Sequence, residues 1–167
     1  MKISGRNIGR RLQMLGNRLS RIKHHKGHGV HSPFVYGFVR KVLMAKKLCE
    51  EYGTSLYDSL LAHGVSEKRA RELHNAFCYI NGQTWSVNVV DCDFSILLAN
   101  YPTEQLREAY EEAKVKGITL VIGQPYLNRE RQNEVRALID EHRSTTIDNR
   151  AYILFFNNRL PKQHYRL

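Results

Sequence analysis

Residues 94–123 read FSILLANYPTEQLREAYEEAKVKGITLVIG, and their pattern decides the fold. Phe94 to Leu98 is a continuous apolar run of strand length. From Thr103 to Lys116 the residues Leu106, Ala109, Tyr110 and Ala113 recur on one helical face, and Gly117 stops the pattern. Ile118 to Ile122 is a second apolar run. Strand, helix and strand in about thirty residues make a βαβ unit, which predicts parallel strands, a right-handed crossover and burial on both faces of the sheet.

Downstream, Asn128 to His142 has helical spacing with Val135, Leu138 and Ile139 inward, and Thr145 to Asp148 and Tyr152 to Phe156 read as strands. The short link at Asn149-Arg150 makes these an antiparallel hairpin. Residues 157–167 read as a polar tail. Upstream, Trp85 to Val89 alternates at period two and predicts a strand. An open apolar edge at Phe94–Leu98 invites aggregation, so Trp85 to Val90 is expected to cover it as an antiparallel neighbour, with a homodimer as the alternative cover. Ser55 to Ala62 and Glu67 to Tyr79 form a helical hairpin across His63-Gly64-Val65, with Ser66 as a cap. Ser32-Pro33 opens a further helix, Phe34 to Leu48, since proline suits a first helical position. The expected class is α/β: a helical, basic region over 1–82, then a small mixed sheet of order β-α-β-α-β-β over 83–167.

Charge is distributed unevenly. Residues 1–47 carry twelve of the 26 Lys and Arg and none of the 16 Asp and Glu, so the net charge of +10 originates there. Ile8, Leu12, Leu15, Leu19 and Ile22 recur at spacings of four and three between arginines, which predicts an amphipathic basic helix. Arg6, Arg10, Arg11, Arg18, Arg21 and Lys23 are the candidate anion-binding residues. Three fates fit this helix: docking on the domain with its arginines solvated, contact with a nucleic-acid backbone, or attachment to an anionic membrane surface.

Sharper chemistry is sparse. His24, His25, His28 and His31 have ligand-type spacing, but Gly27 and Gly29 break the helix that would converge them. His74 and Cys78 stand four apart on a predicted helix, yet Cys78 lies between Phe77 and Tyr79 in an apolar stretch, which favours a core thiol over a nucleophile. The hairpin has helix-turn-helix-like spacing, with Lys68, Arg69 and Arg71 early in its second helix; a plain packing unit is the competing reading. Three cysteines without a metal or disulfide spacing predict reduced thiols and a cytoplasmic protein. Glycines and arginines interrupt any signal-peptide pattern, and no apolar run spans a bilayer. Asn100, Tyr101, Gln124 and Tyr126 follow adjacent strand ends, where open α/β sheets place ligands, and are the candidate pocket residues.

The box His28-Gly29-Val30-His31-Ser32-Pro33-Phe34-Val35-Tyr36 resembles the N-terminal signature of a bacterial group of class I S-adenosylmethionine-dependent methyltransferase-like proteins. Thr146-Ile147-Asp148, Ile153-Leu154-Phe155-Phe156 and Pro161-Lys162-Gln163-His164-Tyr165 are similar to that group's C-terminal part. The resemblance implies that 83–167 corresponds to the C-terminal half of a Rossmann-like methyltransferase. It also marks what is missing. No glycine-rich turn follows a predicted strand, Leu98 stands where the family's strand ends in an acid, and Gly123-Gln124 replaces a pair of acids. By resemblance no catalytic or cofactor-binding residue carries over, and neither cofactor nor metal is expected.

The expected function is therefore that of a pseudoenzyme: a methyltransferase-like binding module without the S-adenosylmethionine half, whose basic arm meets a polyanion, nucleic acid foremost. Two alternatives stand beside it. One is an S-adenosylmethionine-dependent methyltransferase with a divergent cofactor site, and the other is a structural or interaction module without nucleic-acid binding.

Overall fold

The computed structural model describes residues 32–157 and 160–167. Their elements are α1 (Pro33–Phe38), running into a π turn (Val39–Leu43), then α2 (Ser55–Ala62), α3 (Glu67–Tyr79), β1 (Trp85–Val87) and β2 (Phe94–Leu97). A 3-10 turn (Thr103–Gln105) leads into α4 (Leu106–Lys116), followed by β3 (Thr119–Gly123), α5 (Arg129–Glu141), β4 (Thr145–Asp148), β5 (Tyr152–Phe155) and β6 (Gln163–Arg166). The fold is mixed α/β around one six-stranded sheet of order β1-β2-β3-β5-β4-β6. β2 and β3 are parallel, with Phe94 opposite Thr119, and β5 is antiparallel to both β3 and β4. The predicted helix-joined unit and hairpin are thus present. Gly117 ends α4 in the left-handed region (φ 71°), where glycine carries no Cβ penalty.

Each face of the sheet buries a separate apolar cluster. On one face α1, α2 and α3 contribute Val35, Phe38, Leu60 and Phe77, packed against Phe94, Ile96, Val121 and Leu154. On the other, α4 and α5 contribute Leu106, Tyr110, Val135 and Leu138, packed against Leu97, Leu120, Ile122 and Phe155. The described part of 1–82 therefore shares its core with the sheet. Phe156 fastens α1 to the sheet through edge contacts with Phe34 and Phe38, centroids 5.2 and 6.0 Å away. Ser32 caps α1, accepting from the Val35 amide, with Pro33 at the first turn.

Four expectations need correction. β1 is parallel to β2, not antiparallel, with Trp85 opposite Phe94. The reversal happens in residues 88–93, half the dozen or so that a parallel crossover usually takes. Asn88 turns the chain with φ 60°, Val90 drops into the α4/α5 cluster, and Asp93 Oδ2 accepts from the Gln83 and Thr84 amides to lock the strand starts together. The helix expected to reach Leu48 stops at Leu43. Buried Asn75 claims the chain beyond it, accepting from Cys49 N (2.8 Å) and donating to Lys47 O (3.0 Å). The C-terminal residues are not a mere tail, since β6 pairs in parallel with β4. The hairpin link is longer than Asn149-Arg150: it takes in residues 149–151, with Arg150 at φ 74° and the Asn149 amide donating to Tyr152 O.

Candidate functional site

The carboxyl ends of β1, β2 and β3 lie side by side and paired, and two places along this edge differ in what covers them. The first, between β1 and β2, is spanned by Asn88. Its backbone donates to Ile96 O (2.8 Å), its Oδ1 accepts from Leu98 N (2.8 Å), and its Nδ2 donates to Asn100 Oδ1 (3.1 Å). An asparagine tolerates the left-handed conformation that this turn needs, and here its side chain also satisfies the first amide beyond β2.

The second, over the ends of β2 and β3, is a cavity of about 510 Å³ between the sheet and the α2–α3 turn. Ligand pockets commonly fall between about 300 and 1,000 Å³. Val65, Leu98 and Ala151 form its accessible apolar side over buried Leu73, Ile96 and Val121, while Ser66, Asn100 and Gln124 supply polar groups. Arg69 reaches it from the first turn of α3, paired with Glu72 at 2.5 Å. Glu72 is buried, and it also accepts from Tyr152 Oη and Asn149 Nδ2, both at 3.3 Å. Burial first, then the neighbouring Glu72 charge, pushes the Tyr152 phenol well above its ordinary pKa, so it serves as a neutral donor to that carboxylate.

On the opposite face, directly behind Leu98 and Gly123, lies Arg131. Its side chain is fully buried and donates to Tyr101 O (2.9 Å), Leu98 O (3.0 Å) and Gly123 O (3.1 Å). It forms no ion pair with a described residue. Desolvation lowers its pKa, although a guanidinium stays charged. Two strand-end carbonyls and the loop carbonyl of Tyr101 thus hold a cation at the sheet edge.

Of the candidate pocket residues, Asn100 and Gln124 line the cavity, whereas Tyr101 and Tyr126 do not. Tyr101 packs with the α4/α5 cluster, and Tyr126 donates to Asp148 Oδ2 at 2.5 Å. Arg6, Arg10, Arg11, Arg18, Arg21 and Lys23 lie outside the described residues, as do His24, His25, His28 and His31. The end of the acid-free segment is described, and it exposes Arg40, Lys41, Lys46 and Lys47. None of these four pairs with a described carboxylate, and Arg40 Nη1 donates to Tyr36 Oη at 3.4 Å.

Packing places the other expected sites. Residues 72–78 of α3 are all buried, so this part of the helix lies in the core, while Lys68 in its first turn is exposed and Arg69 and Arg71 are half-buried. His74 Nε2 lies 3.0 Å from Cys49 O and so carries the proton. Cys78 Sγ, at 3.6 Å from that same nitrogen, meets a donor and no base. Burial first, then contact with Cys49, pushes the Cys78 thiol up to about 12, which excludes a thiolate nucleophile at neutral pH. Cys78 is buried, but Cys49 and Cys92 are only half-buried. Among the described residues no group of three His, Cys, Asp or Glu could hold a metal ion, and no helix is long and apolar enough to cross a membrane.

Arg131 is not among the residues that the sequence singles out, and Arg69 is singled out only as part of a helix-turn-helix-like hairpin and not as a cavity residue. The available signal was helical phase: Arg131, Val135 and Leu138 fall at i, i+4 and i+7, placing the arginine on the inward stripe. Comparison with protein-family models, with curated proteins and with solved structures yields no match.

Proposed function

We propose that the chain is a non-catalytic, methyltransferase-like binding protein whose basic N-terminal arm contacts a polyanion, nucleic acid foremost. The observation that carries the non-catalytic part is Asn88, which ties together the strand ends where an open α/β sheet with a cofactor would leave a crevice. The neighbouring strand ends favour the same reading, because Leu98 and Gly123 offer only carbonyls, and Arg131 takes them. The resemblance is supported by the order β2-β3-β5-β4, with β5 antiparallel to its neighbours, which resembles the C-terminal half of the class I methyltransferase sheet.

The arm's role rests on charge. An acid-free segment continues through exposed Arg40, Lys41, Lys46 and Lys47 to the first acid, Glu50. Clustered cations of one sign favour a polyanion and release its counterions on binding.

The test is fluorescence anisotropy of a labelled DNA duplex titrated with the full chain over a range of salt. If the six arm cations each neutralise one phosphate, log K falls against log salt with a slope of roughly −5. Replacing Arg6, Arg10, Arg11, Arg18, Arg21 and Lys23 with glutamine removes both the binding and the slope. Binding that persists in that variant rejects the arm as the contact.

A further inference from the structure

We propose that the cavity between β2, β3 and the α2–α3 turn binds a small carboxylate with an apolar body, anchored by Arg69. This inference does not depend on the polyanion reading of the arm, since no arm residue lines the cavity.

The charge balance around the cavity is the first ground. One guanidinium, Arg69, stands on its wall, and a second, Arg131, lies outside it, on the far side of the Leu98 and Gly123 carbonyls. One carboxylate, Glu72, answers them, and it touches Arg69 alone of the two. Arg131 is a fully buried cation without an acidic partner among the described residues. A cation held in low dielectric favours an anion nearby, and the cavity is the adjacent space that can admit one.

The anchor has donors to spare. Arg69 uses Nη1 on Glu72, and no described residue takes its Nη2 or Nε. Glu72 is itself fixed by Tyr152 and Asn149, so the guanidinium is held in place while its side chain stays a third exposed. Ser66 caps α3 without a side-chain hydrogen bond, leaving its hydroxyl available on the same wall. A planar guanidinium edge matches a carboxylate.

Shape chooses the rest of the ligand. Beyond Arg69 the accessible apolar walls are Val65, Leu98 and Ala151, backed by buried Leu73, Ile96 and Val121, with the amides of Asn100 and Gln124 at the edge. A compact apolar body fills that space.

Two-dimensional NMR of the full chain, titrated with benzoate and with neutral benzamide, tests the proposal. Benzoate is expected to move the backbone amides of Ser66, Asn100 and Gln124 saturably and to bind about tenfold more tightly than benzamide, the worth of one charge-assisted contact. Arg69→Gln abolishes that preference, and Arg69→Lys keeps part of it. Ala99→Trp, at an exposed position in the cavity mouth, blocks both ligands without touching the core. Should Arg69→Gln fail to fold, the Ala99→Trp comparison decides. Equal binding of the two probes, benzoate binding unchanged by these variants, shifts confined to the basic arm, or no saturable shift in the millimolar range each overturns the proposal.

Discussion

Two places along the carboxyl edge differ in what covers them. Between β1 and β2 a single asparagine side chain satisfies the backbone amide and carries the contact across to Asn100. Over the ends of β2 and β3, some five ångströms along the sheet in a typical strand spacing, a cavity remains open under the α2–α3 turn, with Arg69 on its wall. β2 and β3 pair as far as Leu97 and Ile122, so that space lies on the face of the sheet and not between the strands. At β1 and β2 the six-residue crossover brings Asn88 over the strand ends, whereas the helical turn above β2 and β3 stands off from them.

The strongest way to break this contrast is to remove the cation behind the cavity. Arg131→Met takes a donor from three carbonyls, of which Leu98 O keeps the Tyr101 amide, and urea unfolding should show a loss of about 3 kcal/mol, the scale of leaving buried polar groups unpaired. A loss below about 1 kcal/mol would mean that Arg131 is incidental. Asn88→Ala acts on the covered strand ends. It removes the acceptor of the Leu98 amide and sets a less tolerant residue at φ 60°, so about 1–2 kcal/mol should be lost, and Asn88→Gly should recover only the conformational share.

The smallest expected effect lies on the face away from the cavity. His142 is buried with Nδ1 at 3.0 Å from Tyr110 Oη, and desolvation lowers its pKa below the ordinary value. A folded-state pKa below the unfolded one means that the unfolded chain binds the proton first. Stability is therefore full at neutral pH and falls as pH drops through about 6.5, the unfolded histidine value. In His142→Gln that part of the acid sensitivity should vanish from thermal unfolding measured between neutral and mildly acidic pH, and a profile unchanged from the parent would assign the sensitivity elsewhere.

How much of this was legible depends on whether a residue's role is periodic. Phe94 to Gly123 announced itself because its apolar residues repeat at strand and helix spacing and both strands are buried on two faces. The helices at Ser55–Ala62 and Glu67–Tyr79 were legible for the same reason. Pairing direction was not. Trp85–Val87 is a three-residue strand whose direction is set by Asn88 and by Asp93 reaching back to Gln83 and Thr84, contacts that no spacing reveals. Gln163–Arg166 carries no apolar alternation, and it becomes a strand because β4 offers an open edge. The end of the first helix at Leu43 was hidden because its cause, Asn75, lies some thirty residues away.

The candidate site was half legible for a related reason. Asn100 and Gln124 were reachable from the rule that ligands gather at strand ends. Arg69 and Arg131 required knowing which side of a helix faces inward, and charge alone pointed the other way. Tyr101 was misplaced because its strand end turns toward the α4/α5 cluster, where its carbonyl serves Arg131.

The most direct test of the account is calorimetric titration of the full chain with S-adenosylmethionine and, separately, S-adenosylhomocysteine. The strand ends spanned by Asn88 predict no saturable heat from either compound. One-to-one binding of both, lost on substituting residues around Asn88, would contradict the account and restore a cofactor to the edge that the asparagine occupies.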